Sequence, residues 1–198
     1  MVDQDVQSVL DFWFGETGAA APTASDSKRW FGGGEALDRE IESRFAHLLE
    51  SSRIDWLESP QGCLAYVILH DQFPLNIFRR QAKAFAFESE AEHAAQLALQ
   101  RGYDRDMGYG ERVFLYMPLM HSEKLELQDL GVQQFTRLVD DVDEGLREAA
   151  KGNLQYAIEH RDTIAKFGRF PFRNEVLGRQ SSEAELAFLE DGAPRYGQ

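Results

Sequence analysis

The run Val113-Phe114-Leu115-Tyr116-Met117-Pro118-Leu119-Met120 is apolar on every side. Such a segment is stable only where other elements pack all around it, so it belongs at the centre of a fold. It is far too short to span a bilayer. Periodicity does not separate a buried helix from a buried strand over so few residues. Its Leu and Met content and its helical neighbours favour a helix, which Pro118 is expected to bend or break.

The flanking sequence supplies helices to surround it. Val6, Leu10 and Trp13 keep a helical spacing up to Gly15. Residues 16–34, rich in Gly, Ala, Ser and Pro, read as a flexible loop that Trp30-Phe31 pins to the core. Ile41, Phe45, Leu48 and Leu49 mark an amphipathic helix over 35–57. Ser59-Pro60 is a start signal, with Ser as cap and Pro in the first turn. The helix it opens carries Leu64, Val67, Ile68 and Asp71, and Pro74 is expected to end it. Ser89 with Glu92, and Ser182 with Glu185, read as capping boxes. Two further helices follow Phe135-Leu138-Val139-Val142 and Leu154-Ile158-Ala165. The chain therefore reads as all-α: one domain over 1–198, with about seven to nine mostly antiparallel helices joined by short spacers.

Composition narrows the functional classes. A net charge of −13 disfavours nucleic acid and anionic membrane surfaces as partners. The single cysteine, Cys63, excludes an internal disulfide and cysteine-rich zinc sites, and fits a cytoplasmic location. No basic and apolar leader stands at the N-terminus. Gly32-Gly33-Gly34 lacks the Lys-Ser/Thr of a phosphate loop, and no other motif calls for a cofactor.

Chemistry concentrates in three phrases. They are Asp71-Gln72-Phe73-Pro74-Leu75-Asn76-Ile77-Phe78-Arg79-Arg80, Met120-His121-Ser122-Glu123-Lys124, and Phe167-Gly168-Arg169-Phe170-Pro171-Phe172-Arg173-Asn174. Each sets charged and amide groups among core residues, where a polar group must be hydrogen-bonded or functional. Asp71 extends the apolar face of Leu64 and Val67; it either pairs with Arg79 or Arg80 across the Pro74 turn or serves a ligand. His121 extends the face of Phe114 and Met117, as a core histidine or as a general acid or base. Ser122 lacks the elbow glycines of a hydrolase nucleophile. Arg161 falls at a core-facing position of Leu154-Ile158-Ala165 and requires a carboxylate, with Glu111 the internal candidate, or an anionic ligand. His70-Asp71 is the only hint of a metal-dependent phosphohydrolase, and no His-x-x-x-His spacing accompanies it.

Taken in order with Leu10-Asp11-Phe12-Trp13-Phe14 and Glu111-Arg112, these phrases resemble the bacterial family called domain of unknown function 924. The resemblance implies an all-α, tetratricopeptide-like superhelix and no established activity. Against the family pattern, Leu75 stands where an Arg is expected, Phe172 where a His is expected, and His70 where an aliphatic residue is usual. The leading expectation is a pocket built from Asp71, Asn76, Arg79, Glu111, His121, Ser122, Glu123, Arg161, Arg169, Arg173 and Asn174 that binds a small anionic metabolite or peptide. His121, Glu123 and Asp71 are its candidates for catalysis, and no metal ligands are assigned. The competing expectations are an interaction scaffold without catalysis, a metal-dependent hydrolase, and internal glue in which every Arg meets a carboxylate.

Overall fold

The computed structural model describes residues 3–15, 20 and 22–192. Those residues form an all-α fold with no strand among them. Its helices are α1 (Gln4–Phe14), α2 (Ala24–Gly32), α3 (Glu35–Phe45), α4 (Pro60–Val67), α5 (Phe73–Ile77), α6 (Glu88–Arg101), α7 (Tyr109–His121), α8 (Leu125–Asp141), α9 (Glu144–Phe167) and α10 (Glu183–Glu190). Short 3-10 turns fill several of the connections.

The apolar run is a helix, α7, and it is central. Phe114, Leu115, Tyr116 and Leu119 are fully buried. Pro118 does not break it; α7 continues to His121. The helices α7, α8 and α9 follow one another as antiparallel neighbours. Arg112 near the start of α7 reaches Asp141 at the end of α8, while Gln128 near the start of α8 donates to the carbonyls of Met120 and Ser122. Asp129 and Arg161 pair across α8 and α9 in the same antiparallel sense.

An aromatic cluster joins the first half of the chain to α7. Trp13 meets Phe73 and Phe114 edge-on at 5.7 and 5.3 Å, and Phe45 stacks on Phe73 at 4.8 Å. Phe73, from the first polar phrase, is therefore a core anchor.

Several sequence expectations change here. Much of the expected 16–34 loop is helix α2, capped by Thr23 and Asp26 in a reciprocal box; residues 16–19 and 21 lie outside the described residues. Trp30 does pin it, donating Nε1–H to the Trp13 carbonyl, whereas Phe31 is largely exposed. The 35–57 helix stops at Phe45 and gives way to 3-10 turns over Ala46–Glu50 and Ile54–Glu58. Ser51-Ser52 lies between them, residues whose side chains compete for backbone hydrogen bonds. Pro74 does not end its helix. Instead Ile68–Gln72 widens into a π turn, in which Phe73 N–H bonds the Ile68 carbonyl, and α5 resumes with Pro74 in its first turn. Proline has no N–H and its ring collides with the carbonyl four residues back, and a wider turn relieves both problems.

Ser59 caps α4 as expected, accepting from Gly62 N–H. A Cβ at Gly62 would sit 2.2 Å from the Trp56 carbonyl oxygen, so the backbone itself would have to move. Gly62→Ala is expected to cost about 1–3 kcal/mol by overpacking. Urea denaturation measures it, and an unchanged midpoint would contradict the close approach.

Candidate functional site

The π turn carries the centre of the site. It places His70, Asp71 and Gln72 consecutively in the interior. π turns are rare and recur at functional sites, because they re-aim side chains that a regular helix would stack. Asp71 faces the end of α7. Its Oδ1 accepts from His121 Nδ1–H at 2.9 Å, and its Oδ2 accepts from Gln72 Nε2–H at 2.5 Å. The Asp71 side chain is 3% exposed and that of His121 is 19% exposed. The carboxylate thus orients the imidazole and leaves Nε2 as the nitrogen available to a ligand.

Next to this pair lies a cavity of about 40 Å³, lined by His70, Asp71, Leu75, Glu88, His121, His160, Phe172 and Arg173, with Ala84. At roughly 10–15 Å³ per water, it holds about three waters or one small polar head group. Arg173 is its cation. The guanidinium donates to Glu88 Oε1 at 2.8 Å and to the His121 carbonyl at 3.0 Å, and lies 4.5 Å from the ring centres of Phe85 and Phe170. Its Nε–H is buried without a hydrogen-bond partner among the described residues. Burial pushes the Glu88 carboxyl up, against the pull of Arg173, and pushes the Arg173 guanidinium down. Desolvation outweighs mutual attraction on both sides of this pair, as is usual for buried ions.

Two neutral histidines complete the wall. His70 Nδ1–H donates to the Tyr66 carbonyl and His160 Nδ1–H to the Tyr156 carbonyl. Burial lowers both, His160 to about 3. Each ring is neutral near pH 7, with Nε2 as its acceptor nitrogen. Among the described residues, no group of three or more His, Cys, Asp or Glu is spaced to hold a metal ion.

Of the residues expected at the site, the cavity gathers Asp71, His121 and Arg173. The others pair elsewhere. Arg79 forms a bidentate bond to Asp38 on α3, not to Asp71, and also touches Asn76, whose amide donates to the Gln72 carbonyl. Glu111 caps α7 by accepting from Gly108 N–H and does not meet Arg161. Arg161 is not core-facing; it is half-exposed and bonds Asp129 and Asp162. The long helix α9 turns His160 inward in its place. Ser122 Oγ–H donates to Glu92 at 2.5 Å and accepts from Lys124 N–H, an N-terminal support for α8 and no nucleophile. Glu92 is thereby taken from the expected capping box with Ser89.

Glu123, Arg169 and Asn174 belong to a second, structural network. Glu123 accepts from both Arg179 terminal nitrogens and from Phe170 N–H. Arg169 forks onto Glu185, which also takes Ser182 N–H and Asn174 Nδ2–H. These bonds clamp the loop after α9 onto α10 and the end of α7. Two participants escaped the sequence reading. Glu88 was hidden in the acidic start of α6, and Arg179 lies outside every phrase. Only their partners in space reveal them.

Leu75, Phe172 and His70, the three positions read in the sequence as expected departures from the family pattern, all line the cavity. The chain matches the family described as "Bacterial protein of unknown function (DUF924)" over residues 9–193. It is also similar to a solved structure titled as a protein of unknown function, ATU0120, from Agrobacterium tumefaciens. The two share 32% identity over 94% of this chain and 97% of that one, with a TM-score of 0.78. No curated protein matches it. The chain therefore belongs to the DUF924 family.

Proposed function

We propose that the cavity binds the carboxylate head of a small anionic ligand, with His121 Nε2 placed to take or give a proton there. The observation that carries this reading is Arg173, a nearly fully buried guanidinium whose Nε–H has no partner among the described residues, beside a histidine braced by a buried aspartate. A buried donor left open is costly unless a ligand satisfies it. The small volume limits the bound part to the head group, and Leu75 and Phe172 give this chain a more apolar wall than its family pattern implies. The same reading includes a tetratricopeptide-like superhelical arrangement in one domain, supported by the consecutive antiparallel helices α7, α8 and α9. It includes a cytoplasmic location, supported by a lone, buried Cys63.

Acetate and propionate, titrated by calorimetry, test it. Wild type is expected to bind, and Arg173→Lys, which keeps the charge but loses the fork, to bind at least about tenfold more weakly. Equal binding by the two proteins, or none by wild type, would sink the proposal.

Binding is also expected to strengthen as pH falls below neutral, because burial raises the Glu88 carboxyl and a proton there removes the partner that competes for Arg173. Glu88 faces Arg173, His121, Asp71 and Glu123, and its carboxyl is raised. A proton on Glu88 frees Arg173 for the ligand. Glu88→Gln should bind more tightly at the upper pH and flatten the dependence. A wild-type affinity independent of pH would show that Glu88 does not compete for Arg173.

A further inference from the structure

A second and larger depression lies between the C-terminal half of α6 and α8, away from the His121 cavity. It is an open groove of about 320 Å³ lined by Gln96, Leu99, Gln100, Asp104, Arg105, Leu130, Gln134 and Arg137. Gln96, Leu99 and Gln100 share one face of α6, and Leu130, Gln134 and Arg137 share one face of α8 at helical spacing.

Three observations make it a built site. Gln134 is only 5% exposed, yet its amide hydrogen-bonds to no described residue. That leaves its amide open toward the groove it lines. Arg105 and Arg137 also make no ion pair or hydrogen bond with a described residue. Among the described arginines only Arg80 shares that state, while the others are held by carboxylates or carbonyls. In a chain with 34 acidic residues and a net charge of −13, two arginines with no carboxylate partner among the described residues meet on one groove. Finally, two of the remaining polar groups are already engaged. Asp104 accepts from the Tyr116 hydroxyl at 2.8 Å, and Gln96 donates to the Glu92 carbonyl at 3.1 Å. The groups left open are two guanidinium forks and the amides of Gln100 and Gln134, above an apolar floor of Leu99 and Leu130, which pack on Leu119 and Leu127.

We propose that this groove binds a monocarboxylate that carries an amide and an apolar side chain, as in an N-acylated amino acid or the C-terminus of a peptide. Two arginines against one aspartate leave the groove at formal charge +1, suited to a single carboxylate. Arginine forks match a carboxylate in a bidentate way. The Gln134 amide offers one donor and one acceptor, the complement of a ligand amide. Leu99 and Leu130 take the side chain. The site stands independently of the His121 cavity and does not need Arg173.

The probe is N-acetylleucine, titrated into the whole chain by calorimetry. Wild type is expected to show saturable binding, weakened at least tenfold in Arg105→Ala/Arg137→Ala, a change of about 1.4 kcal/mol. Gln134→Leu should weaken it too. Arg39→Ala/Arg147→Ala, which removes the same charge elsewhere, should not. Arg105 and Arg137 are exposed and unpartnered, so their loss leaves the fold intact, as circular dichroism would verify. N-acetylleucinamide, lacking the charge, should bind no better than the double variant binds the acid. A short peptide ending in a free Leu carboxylate separates the two sources. Tighter binding than N-acetylleucine assigns the groove to chain ends, and weaker binding to free acylated amino acids; both support the site. No binding by wild type below about 10 mM, equal binding by the double variant, or equal binding of the amide would overturn it.

Discussion

Arg173→Ala is expected to destabilise the protein by about 3–5 kcal/mol, the range for removing one partner of a buried ion pair. The guanidinium is 5% exposed. It satisfies Glu88 and the His121 carbonyl and fills the space between Phe85 and Phe170. Its removal leaves a carboxyl that burial already disfavours as an anion, and the protein would take up a proton there on folding. Guanidinium denaturation of wild type and variant measures the loss; a difference below about 1 kcal/mol would place Arg173 in a site that relaxes easily.

The companion variant separates stability from function. Arg173→Met with Glu88→Leu replaces both ions by apolar groups of similar length. Since desolvation outweighs attraction on both partners, this double change is expected to recover most of the lost stability. It should nevertheless abolish carboxylate binding at the cavity. A stable but non-binding double variant would mean that the pair exists for the ligand. An unstable one would mean that the pair is glue.

The helices were legible from the sequence wherever apolar spacing was long and regular, as in α8 and α9, whereas α7 was legible from its Leu and Met content and its helical neighbours. The core role of Phe73 was also legible, since aromatics beside proline anchor helix ends. What failed were inferences from one local signal. Pro74 reads as a helix end, yet a helix can widen around a proline when its neighbours fix both flanks, and Phe73 is fixed by Trp13 and Phe45. Ser89 with Glu92 reads as a capping box, yet Ser122 and Lys124 claim Glu92 from across the fold. Arg161 reads as core-facing on a pattern in which His160, one residue over, is the buried neighbour. Asp71 and His121 were each legible as polar groups on apolar faces, and Arg173 as a charged group among the core residues of the third phrase. Their meeting around one cavity was not, because they lie fifty residues apart in pairs such as Asp71 and His121 and nothing local links them.

Glu185→Gln should reveal how far the clamp after α9 supports this arrangement, with an expected loss of about 1.5–3 kcal/mol at neutral pH for hydrogen bonds to a charged group. The Glu185 side chain is 3% exposed and accepts two bonds from Arg169 at 2.6 and 2.8 Å and one from Ser182 N–H at 2.7 Å. The Arg169 bonds are the largest influence holding its carboxyl below the usual range. A depressed folded value means that ionised Glu185 contributes stability in full above the unfolded pKa of about 4.3. That contribution is lost as pH falls toward the folded value. The gap between wild type and Glu185→Gln should therefore be widest at neutral pH and close in acid. Loosening this clamp also frees Arg179, which shares Asn174 with Glu185 and holds Glu123 and the Phe170 carbonyl. Phe170 in turn packs against Arg173 and His160. Carboxylate binding at the cavity should weaken in Glu185→Gln in parallel with its stability, since the same loop carries both. A gap that persists unchanged into acid would show that the effect comes from packing and not from the charge.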